Sequence, residues 1–148
     1  CCYTGLPYLE MASLKKENII KGFDGKKWIQ IYRQKTKKIL TIPLLKNAEN
    51  ILNKYKDDTA FLPIITNQQF NSFLKEIAAV LGIEKRVTHH TARKTFASTV
   101  LLYNEIPMET VSELLGHSNM KVTQSHYAKV VQKKVSDQMS KLNRKLGR

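Results

Sequence analysis

The stretch Trp28-Ile-Gln-Ile-Tyr-Arg33-Gln-Lys-Thr-Lys-Lys38-Ile-Leu-Thr-Ile42 decides the fold class. Apolar and polar residues alternate through 28–33 and again through 39–42, the period of a strand with one covered face. The polar segment Gln34-Lys-Thr-Lys-Lys38 between them predicts a β-hairpin with a basic tip. Outward from this hairpin the period becomes helical. On the N-terminal side residues 8–17 read as a helix. On the C-terminal side Pro43 suits the first position of a helix in which Leu44, Ala48, Ile51, Leu52 and Tyr55 recur at helical spacing. Asn67 is placed to cap a helix carrying Phe70, Phe73, Leu74, Ile77 and Leu81, which Gly82 stops. A further helix spans about 90–102, Pro107 opens one that ends at Gly116, and a short element covers 123–127. A tail helix over 128–148 carries an apolar stripe of Val131, Val135, Met139, Leu142 and Leu146. The expected fold is mainly α with a small antiparallel β-sheet, an α+β domain without internal repeats.

At 148 residues and 17.0 kDa the chain has the length of one domain, and 42% hydrophobic residues suffice for a packed core. The longest apolar run, 77–83, falls far short of the ~20 residues a membrane span needs, so no membrane partner is expected. Cys1 and Cys2 are adjacent and terminal and cannot frame a disulfide scaffold, which predicts a reducing, cytoplasmic setting. Because the first residue is not methionine, further residues are expected before Cys1. Against 12 acidic residues stand 25 Lys and Arg, a formal charge of +13 that excludes an acidic binding module and predicts a polyanionic partner. Nine of these cations fall in 15–38, and seven in the last 21 residues. Nucleic acid fits better than a membrane surface, since no helix joins that charge to a Trp- or Phe-rich face.

The acidic residues are scattered, with only Asp57-Asp58 adjacent, so the paired carboxylates of a metal-dependent nuclease are missing from the pattern. His89, His90, His117 and His126 lack cysteines spaced for zinc, and no glycine-rich phosphate loop is present. No cofactor and no metal are expected. What remains is a set of basic residues and a tyrosine near predicted helix ends. In His90-Thr-Ala-Arg93 a spacing of three puts imidazole and guanidinium about one helical turn apart, where both can reach one phosphate. His117 follows a glycine-terminated helix in Leu114-Leu-Gly-His117, and Tyr127 comes ten residues later. Taken singly, these are also what a surface pair, a capping residue and a packed tyrosine look like.

In combination they resemble the catalytic domain of the tyrosine recombinase (phage integrase) family, including integrases of mobile elements such as conjugative transposons. Cys2-Tyr-Thr-Gly-Leu-Pro-Tyr-Leu-Glu10 resembles the family's first motif and Leu14-Lys-Lys-Glu-Asn-Ile19 its continuation. Gln34-Lys-Thr-Lys-Lys-Ile-Leu-Thr-Ile-Pro43 resembles the hairpin whose lysine, here Lys35, precedes the proline by eight. His90-Thr-Ala-Arg93-Lys-Thr-Phe-Ala97 is similar to the second motif. Leu114-Leu-Gly-His117-Ser-Asn-Met-Lys-Val-Thr-Gln124 followed by Tyr127 is similar to the third.

The resemblance implies site-specific DNA recombination or integration without a cofactor, by transesterification through a 3′-phosphotyrosyl intermediate. Tyr127 would be the nucleophile and Arg93 a phosphate clamp. His90 would assist proton transfer, His117 would hydrogen-bond the phosphate, Lys35 would protonate the leaving oxygen, and Glu10 would support the site. The implied partners are double-stranded DNA and further protomers in a tetrameric synapse, with exchange of the tail helix 128–148 between protomers. Residues 1–148 would be a C-terminal catalytic domain whose N-terminal DNA-binding domain lies outside the sequence, acting in the cytoplasm on the nucleoid. A type IB topoisomerase and a DNA-binding or regulatory remnant are the alternatives. Two departures stand out. Pro7 occupies the place of the first motif's arginine, so either the transition state is less stabilised or a substitute cation fills the gap, with Lys15, Lys16 and Arg86 as candidates. The interval from His117 to Tyr127 is one residue longer than the usual pattern, with the insertion at Ser125 or His126.

Overall fold

The computed structural model describes residues 1–55, 61–63, 65–117 and 119–147. Asp57, Asp58 and Ser118 lie outside the described residues, as do the side chains of Ser125 and His126. Three strands, β1 (Ile19–Lys21), β2 (Lys27–Arg33) and β3 (Lys38–Pro43), form an antiparallel sheet in that order. Six helices accompany them among the described residues: α1 (Tyr8–Ala12), α2 (Lys46–Lys54), α3 (Asn67–Val80), α4 (His89–Thr95), α5 (Met108–Leu114) and α6 (Met120–Leu146). The α+β expectation holds, with one more strand than the hairpin alone.

Register follows from the alternation. Ile29 pairs with Ile42 and Ile31 with Leu40, so all four point to the same side. With Leu6 and Leu14 they make a buried cluster under the sheet. A second cluster gathers Phe96, Ala97, Leu101, Leu102, Val111, Leu115 and Tyr127, and Leu114 touches both. The sheet is thereby fixed to the helical half along the end of α5. Gly5, just before α1, packs against Phe96, just after α4. Its backbone takes φ +64°, and a Cβ there would stand 2.5 Å from Phe96 Cδ1, so only glycine fits. α1 is further held by Tyr8, whose hydroxyl donates to the Ile65 carbonyl and whose ring packs edge-on against His89 at 6.0 Å.

Local expectations are corrected in four places. Pro43 does not start a helix: it pairs with Trp28 as the last residue of β3, and α2 begins at Lys46. The helix at the N-terminus stops at Ala12 and continues only as a 3₁₀ turn, Lys16–Asn18. Thr66, not Asn67, caps α3, in a reciprocal capping box with Gln69. The tail is not a separate element, because α6 runs unbroken from Met120 and includes Tyr127. The helix expected over 90–102 is continuous, yet changes pitch: α4 passes into a π-helical segment, Phe96–Leu101, and a 3₁₀ turn, Leu102–Asn104.

Candidate active site

Thr88 caps α4 by accepting from the Thr91 amide, which fixes the first turn and with it the direction of Arg93. Arg93 turns inward and is 6% exposed. One Nη donates to the Gly5 carbonyl and the other to the Leu115 carbonyl at 2.6 Å. Leu115 and Gly116 lie just past the end of α5, where helix carbonyls are left without partners and carry partial negative charge. A cation is the natural occupant of that position.

A second cation shares it. Arg33, the last residue of β2 and 8% exposed, donates through Nη1 to the same Leu115 carbonyl at 3.2 Å and to the Gly116 carbonyl. The structure therefore brings together two guanidiniums from residues distant in sequence. Glu10 of α1 is 4% exposed, and its Oε1 lies 3.8 Å from Arg33 Nε. Two buried cations against one carboxylate leave the pocket net positive, which is costly without an anion. Burial, then Arg33, push the Arg93 guanidinium down to about 10, with Tyr127 and Glu10 acting the other way. It stays protonated at neutral pH.

Tyr127 is 6% exposed, inside the helical cluster. Burial pushes its phenol above the ordinary tyrosine value, and nearby Arg93 partly offsets this. One turn earlier on α6, Thr123 is fully buried, and its Oγ1 lies 2.7 Å from His117 Nδ1. Steps of three and of four both return to one helix face, and here the step from Thr123 to Tyr127 is four. His117, Arg33, Thr36, Lys38 and Gly116 line one hollow of about 70 Å³.

Of the residues expected at the site, Arg93, Tyr127, Glu10 and His117 converge. His90 and Lys35 are exposed, outside the buried group: His90 near the start of α4, Lys35 at the hairpin tip two residues beyond Arg33. Pro7 is the N-cap of α1, three residues before Glu10. Lys15, Lys16 and Arg86 are exposed, and the cation acting on Arg93 is Arg33. The cation that the structure adds to this pocket, and that no sequence motif contains, is Arg33. A signal for it was present, since Ile29, Ile31 and Arg33 occupy successive inward positions of one strand.

The sequence profile of the Phage integrase family matches residues 1–134. Tyrosine recombinase XerD of Listeria monocytogenes serotype 4b (strain F2365) is 36% identical over 156 aligned positions, covering 91% of this chain and 50% of the relative. The crystal structure of XerA recombinase superposes with a TM-score of 0.75 at 20% identity, over 93% of this chain and 54% of that one. XerH site-specific recombinase, in a post-cleavage complex with palindromic difH substrate, gives 0.72 at 18% identity, over 92% and 42%. These two establish the fold alone. The chain spans about half the length of the curated relatives it matches. On the extent of the profile match, the chain belongs to the phage integrase family.

Proposed function

We propose that residues 1–148 form the catalytic domain of a site-specific DNA recombinase or integrase that cuts and rejoins DNA through Tyr127. The observation that carries this reading is the buried, net-positive pocket of Arg33, Arg93 and Glu10 beside Tyr127. A phosphodiester supplies the anion this pocket lacks. Tyr127 Oη attacks phosphorus, the bond to the 5′-oxygen breaks, and a 3′-phosphotyrosyl bond holds the strand for religation without an external energy source. Arg93 neutralises the non-bridging oxygens as charge builds on them. His117, whose ring is held through Nδ1 by Thr123, presents its other nitrogen to the phosphate. His90 serves proton transfer and Lys35 protonates the departing 5′-oxygen; both side chains are exposed and reach the site once DNA lies across it.

Double-stranded DNA is the proposed substrate, in keeping with a charge of +13. The proposed setting is the cytoplasm, on the nucleoid, with the rest of the DNA grip supplied by an N-terminal domain outside this sequence. Among the described residues no helix is long and apolar enough to cross a membrane. The second proposed partner is another protomer. α6 is tied to its own domain by Lys134 Nζ donating to the Leu102 carbonyl and by Gln138 reaching Glu105. Beyond them Met139, Leu142 and Leu146 are exposed on one stripe, which we assign to a neighbouring protomer in a DNA-bound tetramer.

Incubation with a nicked suicide duplex should give a covalent protein–DNA adduct, and Tyr127→Phe should abolish it while DNA binding stays within about threefold, because one hydroxyl contributes little to a phosphate-dominated affinity. An adduct that survives Tyr127→Phe and vanishes with Tyr103→Phe assigns the chemistry to the wrong tyrosine. No adduct with the unaltered protein favours the regulatory remnant.

The protonation state of the nucleophile is open to ultraviolet difference titration against Tyr127→Phe. The Tyr127 phenol should ionise above the ordinary tyrosine range, set by burial. Arg93→Met keeps much of the bulk and removes the cation that favours phenolate, so it should move the titration further up; a downward move contradicts the assignment. Because the folded-state value is raised, the stability tied to this group is present below the ordinary value and lost as pH rises through the raised one.

Deleting residues 139–148 should leave the melting transition and single-site binding intact while weakening assembly on paired sites, measured by analytical ultracentrifugation with DNA. Unfolding of the truncated chain would instead place the stripe in the domain's own core.

A further inference from the structure

We propose that Arg33 is a catalytic residue, which holds the scissile phosphate jointly with Arg93 and so supplies the cation that Pro7 cannot. The proposal rests on the recombinase reading above and names a residue that the motifs do not contain.

Four observations carry it. First, Arg33 stands at an inward position of β2, in line with Ile29 and Ile31, where packing alone favours an apolar side chain. A guanidinium buried there beside a second guanidinium is an expense that packing does not explain. Second, its hydrogen-bonding capacity is not used up. Among the described residues Arg33 Nε is buried without a hydrogen-bond acceptor, and the hydroxyl of Thr36, which lines the same hollow, is also buried without a partner. Arg33 and Thr36 line one hollow with His117 and Glu113, and their unused donors suit an oxyanion. Third, the chain makes room for this side chain. Gly116 reverses the backbone at φ +59°, and a Cβ there would lie 3.2 Å from Arg33 Nη1. Fourth, the guanidinium lies beside α1, the helix that Pro7 caps, since Glu10 in the middle of that helix is 3.8 Å from Nε.

The arrangement moves the clamp from one element to another. Where an arginine at position 7 would project from the start of α1, Arg33 projects from the strand that leads into the hairpin carrying Lys35. Clamp and hairpin lysine are then two residues apart, one at the end of β2 and the other in the turn that follows it.

The test compares two suicide duplexes, selected by the protein from a random-sequence pool, one with a normal scissile phosphate and one with an uncharged methylphosphonate at that position. A group that neutralises the phosphate is needed for the first and nearly dispensable for the second. Arg33→Ala should slow Tyr127 adduct formation by about 10²–10³ on the phosphate and by about tenfold or less on the methylphosphonate, the usual cost of losing one charge-assisted donor. If Arg33→Ala does not fold, the double variant Arg33→Met/Glu10→Gln keeps the stem's packing, leaves no carboxylate without its counter-charge, and enters the same comparison. Equal losses on both duplexes would make Arg33 a structural residue, and unaltered rates on both would remove it from the site. Either result overturns the proposal while the recombinase reading stands. Absence of any adduct with the unaltered protein overturns both.

Discussion

The carbonyl of Leu115, left without a helical partner at the end of α5, accepts from Arg93 of α4 and from Arg33 of β2. That shared acceptor is the constraint on which the rest of the site depends. It fixes the guanidinium of a helix against that of a strand, and Gly116 beside it takes the positive φ that lets the second side chain approach. Around this point the elements have little freedom. Gly5 must present its carbonyl to Arg93 and admit the ring of Phe96, which sets α1, and Leu114 packs on both core clusters, which sets the sheet against the helices. A pair of like charges with one carboxylate is a poor way to gain stability. It is a good way to prepare a phosphate site, because the cost of holding the cations is met in folding and the electrostatic gain appears when the anion arrives.

Tyr127 belongs to the same construction. It is buried in the helical cluster and sits one turn after Thr123, whose hydroxyl meets the His117 ring. Docking of the first turns of α6 therefore positions Tyr127 and the His117 imidazole together. The far end of the same helix leaves an apolar stripe exposed, so a proposed protomer covering it would act on the element that carries Tyr127. The proposed assembly and the proposed chemistry meet in one helix.

Much of this was legible in the sequence wherever the signal was local. The alternation in 28–33 and 39–42 gave the hairpin, and the ordered motifs located Arg93, His117 and Tyr127. What escaped depends on contacts between distant residues. Pro43 has a favourable angle for a helix start, but Trp28 claims it as a strand partner fifteen positions away, which local preference does not register. β1 is three residues long, too short for a period, and is defined by pairing with β2 across a turn at Gly25. Arg33 was hidden in another way. Its partner carbonyl at Leu115 is 82 residues on, and the cluster of lysines at the hairpin tip gives the local sequence the pattern of exposed charge. The inward phase of its strand was the available clue, and a charged residue in that phase marks a functional position sooner than a packing one.

The most direct measurement is a crystal structure of the protein with cleaved DNA and orthovanadate, an analogue of the five-coordinate phosphorus of the transition state. Nitrogens of both Arg33 and Arg93 should lie within about 3 Å of non-bridging oxygens, with Tyr127 Oη bonded to the metal centre in line with the 5′-oxygen. Vanadate held by Arg93 and an exposed lysine, with Arg33 still turned wholly to the Leu115 and Gly116 carbonyls, would contradict the account.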